Sequence, residues 1–418
     1  TLAYQDFELL SPNTGTCPTF SNVADAEITK AIHRRVPAFI QDKPTESNPW
    51  HTKIYAEMYN MTRASHLFHT TEDLLGKGAQ QENSALHHGS DVYLPIYEAR
   101  MLGIYDHRLC SVGINPKNVF RGAVSETTTI DEHGMPDHYA APRYWLSLDD
   151  FQNEILNEYD KRWFSGFRMV TASTNERTMI AAIFPRTPFV NTISGLFNNF
   201  PAAENTLLIA NLSSFILDYT ARQRISGVSL NFFVAKQLPI IPPELYSDKA
   251  FIVLRVLELV FTSWDLQPFA EDCGWFGPPF RWEEDRRFLL RCELDAAFFH
   301  LYLPAEENGE WRMANKKDGS PYDETPEQLA ELKKHFPTPR EAVAYIMDTF
   351  PIVRRKDEEK NDGDFRTKRI ILEIYDAMQE SIRTGQPYQT RLDPPPADPR
   401  CCHPPKEIRI IKENLNGL

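Results

Sequence analysis

Thr178–Pro243 reads TMIAAIFPRTPFVNTISGLFNNFPAAENTLLIANLSSFILDYTARQRISGVSLNFFVAKQLPIIPP. Thr178 to Phe184 is almost wholly apolar, the pattern of a strand buried on both faces. Asn205 opens a helical period that runs through Arg224. Its apolar stripe is Leu208, Leu212, Phe215, Ile216 and Tyr219, and Gly227 stands where a helix C-cap belongs. Leu230 to Val234 reads as a short strand. Leu238-Pro239-Ile240-Ile241-Pro242-Pro243 then makes a rigid exit. Strand, amphipathic helix and returning strand predict an α+β fold, with helices packed on a mixed β-sheet.

Upstream, Asp25 is placed to cap a helix over Ala26–Arg35, which Pro37 ends. Ile54-Tyr55, Tyr93–Tyr97 and Tyr144-Trp145 are β-favouring aromatic patches. Thr70–Asp91 is polar and reads as a long, mobile surface loop. Asp149–Arg162 reads as a helix, and Phe167–Phe189 as strands. Downstream of 245 the pattern turns helical. Helices are expected over Asp248–Trp264, Glu283–Tyr302, Pro339–Phe350 and Arg366–Arg383, joined by polar connectors such as Asn308–Glu327 and Lys356–Asp364. The charges of the second of these, Glu283, Arg287 and Arg291, read as a solvated face. The expected organisation is an α+β unit over 1–245 with a mobile loop at 70–91, a helical spacer or docking region over 246–386, and a proline-rich tail over 387–418.

The 418 residues are 42% hydrophobic and 25% charged, a globular composition. The longest apolar run, Phe251–Phe261, is interrupted by Arg255 and Glu258 and is too short to span a bilayer. No secretory leader is visible, and the scattered cysteines (Cys17, Cys110, Cys273, Cys292, Cys401, Cys402) read as reduced thiols, so a cytoplasmic location is expected. The start at Thr1 rather than methionine suggests a piece of a longer protein. His66/His69, His87/His88 and Cys401-Cys402-His403 lack the further ligands that would enclose a metal, so no metal site is expected.

Motifs for cofactors and nucleophiles are missing. There is no G-x-G-x-x-G after a strand, no G-x-x-x-x-G-K-[ST], no H-E-x-x-H and no G-x-S-x-G. No carboxylate spacing marks an acid–base pair. The positive signal is local. The net charge of the chain is −13, yet Asp160–Ile240 holds eight basic residues against four acids. Amides and hydroxyls accompany them, including Thr171, Ser173, Thr174, Asn175, Asn191, Thr192, Asn198 and Asn199. Cations neutralise phosphates, and Asn and Arg pair with base edges, so such an island suits a DNA groove. Chance clustering on an ordinary surface is the competing reading.

Several segments, in order, resemble the C-terminal part of large bacterial adenine-specific DNA methyltransferases of restriction–modification and phage-defence systems, those with a TaqI-like C-terminal specificity domain. They are Ser11–Pro18 with Asp25–Thr29, Leu94–Arg100 with Tyr105–Arg108, Gly166–Arg168 with Thr174–Thr178, Leu208–Gln223, Leu230–Pro243, Gly277–Trp282, and Asp348–Lys356 with Phe365–Arg369. The resemblance implies a target-recognition region that follows a catalytic domain. S-adenosylmethionine would be the cofactor of the parent protein, with none in this fragment.

The family's [Asn/Asp]-Pro-Pro-[aromatic] turn, which holds a flipped adenine, has no match here. Asn48-Pro49-Trp50 lacks the second proline, Asp393-Pro394-Pro395-Pro396 lacks the aromatic, and Ile241-Pro242-Pro243 and Gly277-Pro278-Pro279-Phe280 lack the polar residue. No catalytic residue is therefore expected, and methylation by this piece alone is not. Double-stranded DNA is the expected partner, with no membrane. The candidate contacts are Arg168, Arg177, Arg186, Asn191, Arg222, Arg224, Asn231 and Lys236. Of these, Arg222, Arg224 and Lys236 would hold phosphates. Arg177 and Asn191 would read base edges, unless Arg177 instead braces the turn before the strand. The alternatives are an interaction scaffold that binds other restriction or defence subunits without touching DNA, and a hidden nuclease.

Overall fold

The buried strand expected in Thr178–Phe184 lies in the middle of the computed structural model, which describes residues 4–406 apart from 17, 43–44, 116–122, 152–156 and 226. It is β10 (Ala181–Pro185), the edge of a four-stranded antiparallel sheet ordered β1 (Lys53–Tyr55), β11 (Ile193–Phe197), β9 (Trp163–Arg168), β10. Both faces of this sheet are covered. Trp163, Phe167, Ala181, Ile183 and Leu196 enter one core, and Phe164, Ala182, Phe184, Ile193 and Phe197 enter the other. That alternation explains why the strand is apolar throughout.

Gly166 and Gly195 face each other across β9 and β11. A Cβ on Gly195 would stand 2.6 Å from the Phe197 ring and 2.8 Å from Phe189, and one on Gly166 would stand 2.7 Å from the Ser194 carbonyl. The glycine pair lets the aromatic core press directly on the backbone.

A second antiparallel sheet runs β2 (Phe68–His69), β8 (Trp145–Ser147), β5 (Asp91–Pro95), β4 (Ala85–His88), β3 (Gln80–Glu82). The hairpin β6 (Cys110–Gly113)–β7 (Val124–Thr127) stands apart. All strand pairs among the described residues are antiparallel, so the fold is α+β as expected, without parallel pairing in its sheets. The polar stretch 70–91 is not a bare loop. Thr70 caps α3 (Thr71–Gly76) and β3–β4 form an exposed hairpin. The edge strand β3 is exposed throughout, and β4 buries only Leu86, so the pair carries too little alternation to read.

N-terminal α1 (Tyr4–Leu10) packs on α2 (Val23–Arg35). Asn22, rather than Asp25, caps α2 by accepting from the Asp25 amide. A single turn, α4 (Ile130–His133), precedes β8. Of the helix expected over Asp149–Arg162, residues 152–156 fall outside the described residues; Asn157 and Glu158 are helical, while 149–151 and 159–162 are not. The long helix expected from Asn205 to Arg224 is two, α5 (Ala202–Ser213) and α6 (Phe215–Arg222). Between them Ser214 is extended (φ −71°, ψ 150°), and its hydroxyl accepts from the Leu217 amide. Just before the break, buried Asn211 accepts from the Ile241 amide and donates to the Tyr302 hydroxyl. Short polar side chains that bond outside the helix disfavour its continuation.

Leu230–Val234 is likewise not a strand. Asn231 accepts from the Val234 amide and starts α7 (Phe232–Ala235), a cap that outweighs the β preference of Phe232-Phe233-Val234.

The C-terminal half is helical: α8 (Lys249–Val260), α9 (Gln267–Asp272), α10 (Glu284–Tyr302), α11 (Pro326–His335), α12 (Pro339–Asp348), α13 (Pro351–Lys360) and α14 (Arg366–Thr384). Two of these, α11 and α13, occupy stretches read in part as polar connectors. A Thr325–Gln328 capping box and Pro326 start α11, and each helix buries only a narrow stripe. α5 packs on both β10 and α8, and α10 packs on α6, α8 and α14. One continuous core runs from Ile28 in α2 to Cys402. Among the described residues no helix is long and apolar enough to cross a membrane.

Candidate functional site

The basic residues of the central island fall into two groups. The first is committed to the protein itself. Asp218, fully buried on α6, is the hub. Its carboxylate accepts from Arg177 Nε (2.6 Å) and from the Thr178 amide (3.0 Å), with Arg222 Nε 3.5 Å away. Arg177 also donates to the Ser213 carbonyl and lies 4.0 Å above the Phe215 ring. Arg222 donates to the Asn175 and Glu176 carbonyls and covers Phe350 at 4.2 Å. Asp218 and these two arginines therefore brace the turn that leads into β10.

Arg168 donates to the Leu102 carbonyl, Arg186 to the Tyr159 and Lys161 carbonyls (2.8 Å each), and Arg224 to Ser11 Oγ (2.9 Å) and the Leu10 carbonyl. Desolvation lowers the pKa of Arg168, Arg186 and Arg222 from the ordinary arginine value. Pulling any of them out to meet a phosphate would leave buried carbonyls or a buried carboxylate unpaired. The base-edge role expected of Arg177 and the phosphate roles expected of Arg222 and Arg224 do not follow from these positions. The bracing role for Arg177 is the one its geometry fits. Asp218 was missed because it sits inside an apolar run. The sequence signal for it was Arg222 four residues further on.

The second group reaches the surface. Lys236 is half-buried and meets exposed Asp42 at 3.0 Å. Asn231 is exposed, with its side-chain oxygen held by the α7 cap. Asn191 is half-buried, and its side chain hydrogen-bonds to no described residue, while its backbone amide donates to the Tyr59 carbonyl. Around them two loops join at the end of β9. Val170 bridges to Ser229, the Thr171 amide donates to the Val228 carbonyl (3.1 Å), and the Leu230 amide donates to the Met169 carbonyl (2.8 Å).

The joined loops, 170–176 and 227–233, expose Thr174, Asn175, Ser229 and Asn231 beside Val170 (51% exposed), Val228 (71%) and Phe233 (56%). Arg100, in the turn Ala99–Met101, reaches the neighbouring hairpin, donating to the Ala123 carbonyl and to Ser125 Oγ. These exposed apolar side chains were not legible in the sequence, because only the pairing of the loops makes them a surface.

The resembling segment Tyr105–Arg108 lies deep. His107 Nε2 stands 3.0 Å from both Asp265 oxygens and 3.2 Å from Ser263 Oγ, and His133 Nε2 stands 3.1 Å from Asp106. Burial pushes the Asp265 carboxyl up, but the charge and hydrogen bond of His107 outweigh it and the group ends low. Arg108, fully buried, donates to the Met135, His138, His133 and Thr262 carbonyls. Serine, histidine and aspartate thus meet, but Ser263 and His107 are sealed from solvent, so this is a fastener between the loop before β6 and the end of α8 rather than a nucleophile. Among the described residues no three His, Cys, Asp or Glu side chains gather to hold a metal. Compared with known proteins, the chain matches no family model, no curated protein and no solved structure.

Proposed function

We propose that this chain is the DNA sequence-recognition part of an S-adenosylmethionine-dependent, adenine-specific DNA methyltransferase from a restriction–modification or phage-defence system, a fragment without the catalytic domain. One observation carries the reading. The loops 170–176 and 227–233 are clasped to the end of a rigid, doubly covered sheet and present amides next to apolar side chains. Reading a major groove needs that combination, because amides pair with base edges and apolar groups meet thymine methyls. Asn175, Asn191, Asn231, Val228 and Phe233 are the assigned contacts, and Lys236 is the phosphate contact nearest to them in sequence. The bracing arginines serve by stiffening the platform.

Fluorescence anisotropy with duplex DNA tests this at two salt concentrations. Binding that weakens steeply with salt supports the proposal, as does its loss in Asn175→Ala and Phe233→Ala variants that still fold. No binding at low salt, or binding indifferent to both variants, overturns it.

The scaffold reading has its own supporting observation. Phe276, 83% exposed in the Trp275–Phe280 turn, lies in the helical half, where a partner subunit could cover it.

A further inference from the structure

A cavity of about 250 Å³ opens where α10, α13 and α14 meet the Arg177 turn and the start of α6. Phe288, Arg291 and Asp295 follow one another at helical spacing on α10 and all line it. The helix charges that read as a solvated face are therefore not one. Arg287 is buried, donates to the Leu259 carbonyl and covers Trp282 at 3.5 Å, while Arg291 turns to the cavity.

Most charges around the cavity are already paired. Arg366 meets Asp285 at 3.0 Å, and Lys356 pairs with Glu176. Three are not. Arg291 and Lys360 make no hydrogen bond or ion pair with any described residue. Asp295 is 7% exposed and accepts one hydrogen bond, from the Phe215 amide to Oδ1 at 2.8 Å, and its other oxygen has no partner among the described residues. No ion pair joins Asp295 to Arg291, although both line the same cavity. The apolar part of the wall is Ile104, Cys292 and Val353 with two phenyl rings, Phe215 under Arg177 at 4.0 Å and Phe288 under Arg366 at 4.3 Å.

A buried carboxylate with an unused oxygen costs stability unless something supplies it a donor. Two unmatched cations suit one doubly charged anion. Phenyl and guanidinium groups suit a flat ring. We propose that this cleft binds a nucleoside monophosphate, with its phosphate on Arg291 and Lys360 and a ring N–H or sugar O–H donating to Asp295. The cavity is a little below the usual range of about 300–1,000 Å³ for ligand pockets, which favours one nucleotide over a larger cofactor. The site is separate from the loops assigned to DNA, and the inference does not rest on that assignment.

Titration calorimetry on the whole chain, with AMP, GMP, CMP, UMP and inorganic phosphate as separate probes, tests it. At least one monophosphate is expected to bind with a dissociation constant below about 1 mM, about tenfold or more tighter than inorganic phosphate. Arg291→Met, which breaks no bond within the protein, and Asp295→Asn, which keeps an acceptor for Phe215, should each weaken that binding about tenfold or more. Thermal melts establish that both variants are folded. No binding by any of the four nucleotides, inorganic phosphate binding as tightly as they do, or binding unchanged in both variants would each overturn the proposal.

Discussion

Asp295→Asn should make the protein more stable, and increasingly so as the pH rises. Burial raises the Asp295 carboxyl from 3.8 to about 6, against the opposing pull of Arg177, the Phe215 amide and Arg291. A carboxyl whose folded pKa lies above its unfolded one holds its proton longer in the native state. Its contribution to stability is therefore intact below pH 3.8 and is lost as the pH climbs through about 6. At about 1.4 kcal/mol per pH unit, the full loss is about 3 kcal/mol above that window. Asparagine keeps the acceptor for the Phe215 amide but never ionises. The variant should gain about 1.5 kcal/mol over the parent at pH 5 and about 3 kcal/mol at pH 8. Other titrating groups are common to both proteins and cancel in the difference. Urea unfolding of the two proteins at both values measures it. Equal stability at pH 5 and 8, or a less stable variant at pH 8, would refute the reasoning. A gain in stability at the cost of nucleotide binding would mark Asp295 as a group kept for a ligand rather than for the fold.

The Asp218 hub should behave in the opposite way. Asp218→Ala leaves Arg177 and Arg222 half-buried without their carboxylate and should cost about 3–5 kcal/mol in chemical unfolding. Gly195→Ala drives a methyl into Phe197 and Phe189, and a loss of about 1–3 kcal/mol should appear as a lower melting temperature. Lys236→Ala removes only a surface pair with Asp42 and should change stability by less than about 1 kcal/mol, while reducing the salt dependence of any DNA binding.

The apolar run that became β10, the four C-terminal helices with wide stripes, and the α+β class were all legible in the sequence. Period and capping chemistry act over a few residues, so they leave a local trace. What failed was also local in extent, wherever one short polar side chain overrode the pattern of its neighbours. Asn211 and Ser214 divide a helix whose stripe continues unbroken, and Asn231 turns a β-favouring run into a helical turn.

The candidate site shows the limit more sharply. Composition alone marked residues 160–240 as a basic, amide-rich island. It could not say which guanidiniums were spent, because an arginine that braces a turn and one that waits for a phosphate are the same letter. Tertiary structure decided that. It set Asp218 against Arg177 and Arg222, gathered Val228 and Phe233 beside the amides, and left Arg291 and Asp295 sharing a cavity without pairing. The physical reason is that partners such as Arg177 and Asp218, or Asp295 and the Phe215 amide, lie 41 and 80 residues apart. Only the folded chain brings a charge within reach of the group that satisfies it or leaves it unmet.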